Sequence, residues 1–233
     1  MATTLITKLP SAVSDTDLLK INQVRIKMQP GATKRFQWDY VSKTNFTFKV
    51  KNGYFTDSTY TQNLGKTYTS NTAGTIYLSA DVDYVDIESK YGLKTLYFWD
   101  GAFVDLYDIN YLSGLLNLQY TSCSYLEGDL KNIVGVTLNR LSLLLTSKLT
   151  YEEDSFKNLS SLTYLSVTGS VTNTFPITYL KYLTSATTIN LNGSGVTGTA
   201  AELEAAMRAQ GRNSGSLYLT MPNGSSSTID FSA

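Results

Sequence analysis

One spacing of leucines constrains this chain more than any other feature. The form L-x-x-L-x-L-x-x, closed by a small residue, occurs five times. The copies are Leu93, Leu96, Phe98 and Gly101; Leu115, Leu118, Tyr120 and Cys123; Leu138, Leu141, Leu143 and Thr146; Leu162, Leu165, Val167 and Ser170; and Ala186, Ile189, Leu191 and Ser194. The steps between the small residues are 22, 23, 24 and 24. A weaker sixth copy, Leu217-Tyr218-Leu219, precedes Met221-Pro222-Asn223-Gly224. A fixed period of this length marks stacked coils. The centre of each copy alternates apolar and polar residues, so it reads as a short strand. One such strand cannot bury its apolar side alone, whereas copies stacked as a parallel sheet bury a continuous column. The small residue falls where the chain leaves the sheet, and a short polar group or thiol there serves turn backbone without a ladder partner. Cys123 is therefore expected to be a buried turn residue and not a reactive thiol.

This spacing resembles that of leucine-rich repeats over residues 85–224, with Cys123 at the family's Asn/Cys position and Gly, Thr or Ser at the others. The resemblance implies a β-rich solenoid, a short right-handed coil with a parallel sheet. In that fold the outward strand residues line a concave face. By register the candidate binding residues are Tyr97, Trp99, Gln119, Arg140, Tyr164, Asn190 and Tyr218, among Thr95, Asn117, Ser142, Ser166 and Thr188. Exposed Trp, Tyr and Arg are the types enriched at binding hot spots. A polar sheet face also draws on β-formers such as Tyr and Thr for structural reasons alone.

Ahead of the repeats, residues 36–92 read as β. Asn45-Phe46-Thr47-Phe48-Lys49-Val50-Lys51 alternates strictly, and Asn52-Gly53 predicts a hairpin into Tyr54-Phe55. Residues 56–73 read as a long loop or irregular edge. Thr75-Ile76-Tyr77-Leu78 and Tyr84-Val85-Asp86-Ile87 read as further strands. Together they are expected to cap the open first edge of the stack, which would otherwise be a pairing hazard. After the fifth repeat, Thr199-Ala200-Ala201-Glu202 is a capping box, Leu203, Ala206 and Met207 form an apolar stripe, and Gly211 stops the helix. That helix is expected on the convex side. Ile229-Asp230-Phe231 reads as a tail or closing strand, so helix and strand form a C-terminal cap.

Residues 1–35 do not read as a packed domain; Pro10 and Pro30-Gly31 punctuate them. Leu5, Leu9, Leu18 and Leu19, with Ile6 and Ile21, are too apolar for a free tail and suit an arm that docks on a partner. Leu5-Ile6-Thr7-Lys8-Leu9-Pro10-Ser11-Ala12, then Ser14-Asp15-Thr16-Asp17-Leu18-Leu19, is similar to the opening of many bacteriophage fibre and tail proteins. Those proteins use the segment to attach to the virion. The division expected is thus an attachment arm over 1–35, a β-rich cap over 36–92, and the coil with its C-terminal cap over 93–233.

Composition narrows the chemistry. Lys plus Arg and Asp plus Glu each number 19, so the net charge is zero. A nucleic-acid partner, which normally needs a basic patch, is not expected. Charged residues make up 16%, against about 25% in ordinary soluble domains, and Tyr, Thr, Ser and Asn take their place. The chain has no His, which removes His-based triads, general bases and metal sites. Its one Cys permits no intrachain disulfide. Met1 to Pro10 lacks the basic-then-apolar pattern of a secretory signal, and no run of 18 apolar residues exists, so no membrane span is expected.

Other motifs read as structural. Gly65-Lys66-Thr67 ends like a phosphate-binding loop, but Tyr60 stands where the first Gly is required. Asp81, Asp83 and Asp86 alternate with Val82, Tyr84, Val85 and Ile87 as on a solvated strand face, without the Gly and distal Glu of a calcium loop. Glu152-Glu153-Asp154 are contiguous, whereas the acid and base of a sugar hydrolase face each other across a cleft. Four Asn-x-Ser/Thr sequons read as chance matches.

The sequence reading is a non-enzymatic virion protein without a cofactor: a fibre, decoration or adaptor. Residues 1–30 would bind other virion proteins, and the concave face would meet a host-surface glycan or protein. Fibre precedent adds an expectation of homo-oligomers, trimers in particular. The alternative is a bacterial cell-surface leucine-rich-repeat protein binding glycan or host protein.

Overall fold

The computed structural model describes residues 125–145, 148–169 and 174–232 continuously, and before them the strands and one 3-10 turn given below. Seven strands precede the repeats: β1 (Gln23–Met28), β2 (Lys34–Tyr40), β3 (Phe46–Val50), β4 (Tyr54–Phe55), β5 (Thr67–Ser70), β6 (Gly74–Leu78) and β7 (Tyr84–Ser89). The first three repeats each supply two strands. These are β8 (Leu93–Phe98) with β9 (Ala102–Asp105), β10 (Asn117–Tyr120) with β11 (Tyr125–Asp129), and β12 (Arg140–Leu145) with β13 (Leu149–Thr150). Next come β14 (Tyr164–Gly169), β15 (Thr188–Asn190), helix α1 (Ala200–Ala209), β16 (Ser216–Thr220) and β17 (Ser226–Asp230).

The strands form two mixed sheets, one of ten strands and one of seven, and neither closes into a barrel. In the ten-stranded sheet β8, β10, β12, β14, β15 and β16 lie side by side and parallel. Leu96, Leu118, Leu141, Leu165, Ile189 and Leu219 are in register across them. In the seven-stranded sheet β9, β11 and β13 are likewise parallel, and the bridge Pro176–Thr197 repeats the pairing further along. The return segments are 3-10 turns at Leu106–Tyr111, Leu130–Asn132, Lys157–Leu159 and Ile177–Tyr182, followed by α1, and each packs on the next.

One apolar cluster runs between these layers. From the strands it takes Leu141, Leu143, Leu165, Val167, Ile189, Leu191 and Leu219, and from the return side Ile109, Leu130, Ile133, Phe156, Leu159, Ile177, Leu180, Leu203 and Met207. Each fully buried Leu or Ile contributes roughly 1.5–3 kcal/mol relative to exposure. An aromatic run lies within it, Tyr151 and Phe156 from one return segment against Phe175 and Tyr179 from the next. Its ring centroids are 4.6 Å apart for Tyr151–Phe175, 5.4 Å for Phe156–Phe175 and 6.3 Å for Phe175–Tyr179.

Polar ladders hold the turns. At the entry to the long sheet the Thr163 hydroxyl donates to the Asn139 carbonyl (3.0 Å) and the Thr187 hydroxyl to the Thr163 carbonyl (3.1 Å). At another corner, buried Asn110 accepts from the N–H groups of Val134 and Gly135 (2.7 Å each) and donates to the Asn132 carbonyl (2.6 Å). A Cβ on Gly135 would sit 2.8 Å from the Asn110 carbonyl oxygen, so the approach needs glycine. Of the small repeat residues, Ser194 is described. It is buried, and its hydroxyl accepts from the Val196 N–H. Gly101, Cys123, Thr146 and Ser170 lie outside the described residues.

Both ends are covered. β2 pairs antiparallel with β8, and β1 antiparallel with β9, so the strands before the repeats extend both sheets. β1 and the first residues of β2 thus fall in these sheets although the sequence groups them with the arm; Leu5, Leu9, Leu18 and Leu19 lie outside the described residues. The hairpin expected at Asn52-Gly53 does not form. Both edges of β3 are taken by β5 and β7, so the chain crosses to the other sheet, where β4 pairs with β6. Within residues 56–73, β5 is the last strand of the seven-stranded sheet.

At the C-terminal end the capping box is present: Glu202 N–H donates to Thr199 Oγ1 (3.2 Å) and Thr199 N–H to Glu202 Oε2 (2.7 Å). α1 buries Leu203 and Met207 and packs on the 3-10 turn Ile177–Tyr182. β17 is a strand, antiparallel to β16, and it buries Ile229. Phe231 is flanked by two guanidinium groups, Arg212 at 4.1 Å and Arg208 at 5.3 Å from its ring centroid. Arg212 is buried and donates to the carbonyls of Ala186 and Ser216, and burial lowers its pKa from the usual value.

Two outcomes follow from this packing. Asn110→Ala is expected to lower unfolding free energy by about 2 kcal/mol, since it strands turn backbone groups; urea titration measures it. The Tyr151 hydroxyl is buried without a partner, and burial, then the charge of Asp129, pushes its pKa well up. The folded protein therefore holds this proton more tightly than the unfolded chain, and stability falls as pH rises above about 10. Tyr151→Phe is expected to be neutral or stabilising and to reduce that alkaline loss, read from unfolding curves at pH 8 and about 10.5.

Candidate functional site

Side chains on a strand alternate between faces, so the register that sends leucines inward fixes what looks outward. Two rows of paired positions run along the ten-stranded sheet, and their side chains look outward where they are described, from β12 to β17. The first reads Asp39, Thr95, Asn117, Arg140, Tyr164, Thr188, Tyr218 and Thr228. The second reads Thr75, Gln37, Tyr97, Gln119, Ser142, Ser166, Asn190, Thr220 and Ser226. Of the seven residues singled out from sequence, Arg140, Tyr164, Asn190 and Tyr218 stand in these rows with described side chains; Tyr97 and Gln119 share the second row by strand pairing, and their side chains lie outside the described residues. Trp99 lies outside the described residues.

From Arg140 of β12 to β16 the side chains themselves are described, Leu144 and Leu145 apart. Tyr218 is 50% exposed, one of the two large hydrophobic residues most open to solvent among those described; the other is Val134, on a return segment. Arg140 and Tyr164 are half-buried, and the Arg140 guanidinium lies over the Tyr164 ring, 3.7 Å from its centroid. Arg140 Nε is buried with no acceptor, and among the described residues no carboxylate pairs with this arginine. Its row has an acidic position only at Asp39, three strands away, about 14 Å at ordinary strand spacing. Asn190 is partly committed, its Oδ1 accepting from the Asn192 N–H at 3.0 Å. Among the described side chains of the two rows, what remains is hydroxyl groups, amides, aromatic rings and a single cation.

The acidic motifs behave differently. Glu152 pairs with Lys131 of the preceding return segment and Glu153 with Lys181 of the following one, both carboxylates well exposed. They clip adjacent return segments from outside, and such exposed pairs contribute at most about 1 kcal/mol each. Asp86 stands in register between Arg25 and Lys49; Asp81 and Asp83 lie outside the described residues. Among the described residues no group of three or more His, Cys, Asp or Glu is placed to hold a metal ion, and no helix is long and apolar enough to cross a membrane.

Sequence reasoning missed Asn110, Thr163, Thr187 and Arg212. Thr163 and Thr187 share the repeat period and so carried a signal; Arg212 had none, lying in a loop outside it. No protein-family model, curated protein or solved structure matches the chain.

Because the Arg140–Tyr164 contact is partly solvated, it contributes only about 1 kcal/mol. Arg140→Ala is therefore expected to shift thermal unfolding by a few degrees at most, which calorimetry can test.

Proposed function

We propose that this chain is a non-enzymatic binding protein, a leucine-rich-repeat-like solenoid that presents the outer face of its ten-stranded sheet to a host-surface glycan or protein. The observation that carries this reading is the pair of outward rows from β12 to β16, polar yet almost uncharged, with Tyr218 exposed and Arg140 without an acidic partner among the described residues. A purely solvating face is normally studded with Lys and Glu. Here the groups are those that exchange hydrogen bonds and ring contacts with a ligand. The similarity of residues 5–19 to phage fibre and tail openings supports a place in a virion, with the arm held by another virion protein.

The described sheets begin at Gln23, so deletion of residues 1–20 separates the two roles. The shortened chain is expected to keep its circular dichroism and its unfolding midpoint within a few degrees, to retain host-cell binding, and to be absent from purified particles. A shortened chain that no longer folds, or that still assembles into particles, would count against the attachment role.

A further inference from the structure

We propose that the ligand of the face between β12 and β16 is an acidic saccharide, a chain containing a carboxylated pyranose ring of the uronic or sialic acid type; this rests on the reading of that face as the binding surface. Charge complementarity carries it. Arg140 is the one charged residue in either row between β12 and β16, and among the described residues no carboxylate pairs with it. Its guanidinium is held in place by the Tyr164 ring. A held guanidinium matches a planar carboxylate by paired N–H donors. A lone cation in a neutral field selects a ligand with isolated negative charges, not a polyanion, which would call for a basic patch.

The aromatic spacing says the rest. Tyr164 and Tyr218 occupy the same row two strands apart, with the small Thr188 between them. At ordinary strand spacing that is about 10 Å, the length of a disaccharide. Tyr218 offers its ring to the apolar face of a sugar, as an aromatic with one wet edge does. Ser166 and Asn190, directly alongside in the second row, supply hydroxyl and amide groups for the sugar hydroxyls. The saccharide thus lies across the strands, its carboxylate at Arg140 and its neighbouring ring over Thr188 and Tyr218.

The test is titration of the full-length protein, by calorimetry or NMR, with a galacturonate tetrasaccharide and with sialyllactose, against maltotetraose and lactose as neutral matches. At least one acidic probe is expected to bind and to weaken with added salt. Arg140→Ala and Arg140→Gln are each expected to weaken it about tenfold or more, and Arg140→Lys to recover only part, since charge is restored without the planar fork. Tyr218→Ala is expected to weaken acidic and neutral sugars alike. Circular dichroism of each variant checks that the sheet is intact, and two replacements at Arg140 guard against one misfolding. No binding of either acidic probe up to about 10 mM, or binding indifferent to Arg140, overturns the proposal. Neutral sugars or host protein bound through Tyr218 without Arg140 would overturn it while leaving the broader binding role standing. Host-cell attachment unaffected by both Arg140→Ala and Tyr218→Ala would overturn the two together.

Discussion

Every element from β12 onward depends on one apolar column that no repeat can fill alone. β15 is three residues long and β13 two, far below what an isolated strand needs to persist. They are ordered because Ile189 and Leu149 enter a cluster whose other members come from the repeats on either side. The same dependence sets the tolerance of the period. Between Leu96 and Ile189 the steps stay nearly constant, because each return segment is a short 3-10 turn stacked on the one before. From Ile189 to Leu219 the step lengthens, and the added residues are α1 with its cap and Arg212. Among the described return segments, a full helix stands only there, at the end of the stack, where no further repeat must sit on it.

How much of this was legible follows from which interactions are periodic. The parallel strands, their register and the inward set could be written down from leucine spacing, since one residue of slip would turn the whole set outward. The capping box at Thr199 and Glu202 was legible because it is local. The crossing of the chain from β3 to β4 was not. Asn52-Gly53 is a strong local turn signal, yet it says nothing of which neighbours compete for the strands around it, and β5 and β7 hold both edges of β3. Asn110 escaped for a related reason: an asparagine in a return segment looks like any turn residue until Val134 and Gly135 arrive beside it. The outward face was legible by position. The stacking of Arg140 on Tyr164 required knowing that the two are lateral neighbours, which the repeat spacing does provide.

The polar rows and the apolar column are two faces of one constraint. Burial fixes every second residue of the repeat strands, which leaves the alternate positions free of any packing demand. In the two rows those positions hold, besides Arg140, Ser, Thr, Asn, Gln and Tyr, residues compatible with a pleated surface. Arg140 is the departure. It half-buries a guanidinium that no carboxylate among the described residues pairs with, a choice that costs stability and that the column does not require. Its stacking on Tyr164 returns about 1 kcal/mol of that cost.

The two ends of the stack show what the free positions would otherwise cost. A parallel sheet must stop somewhere, and an open edge invites pairing with another chain. At the first edge the solution is a doubled one, β2 on β8 and β1 on β9, so both layers continue into strands of opposite direction. At the last edge β17 turns back on β16, and Phe231, held between Arg208 and Arg212, closes the apolar column from below. The outermost strand there reads Ser-Ser-Thr-Ile-Asp, with Ile229 alone directed inward. It is short, and its other four residues are polar, so it offers a poor template for further sheet growth. Each end of the parallel stack is thus continued by antiparallel strands and not left as an open parallel edge.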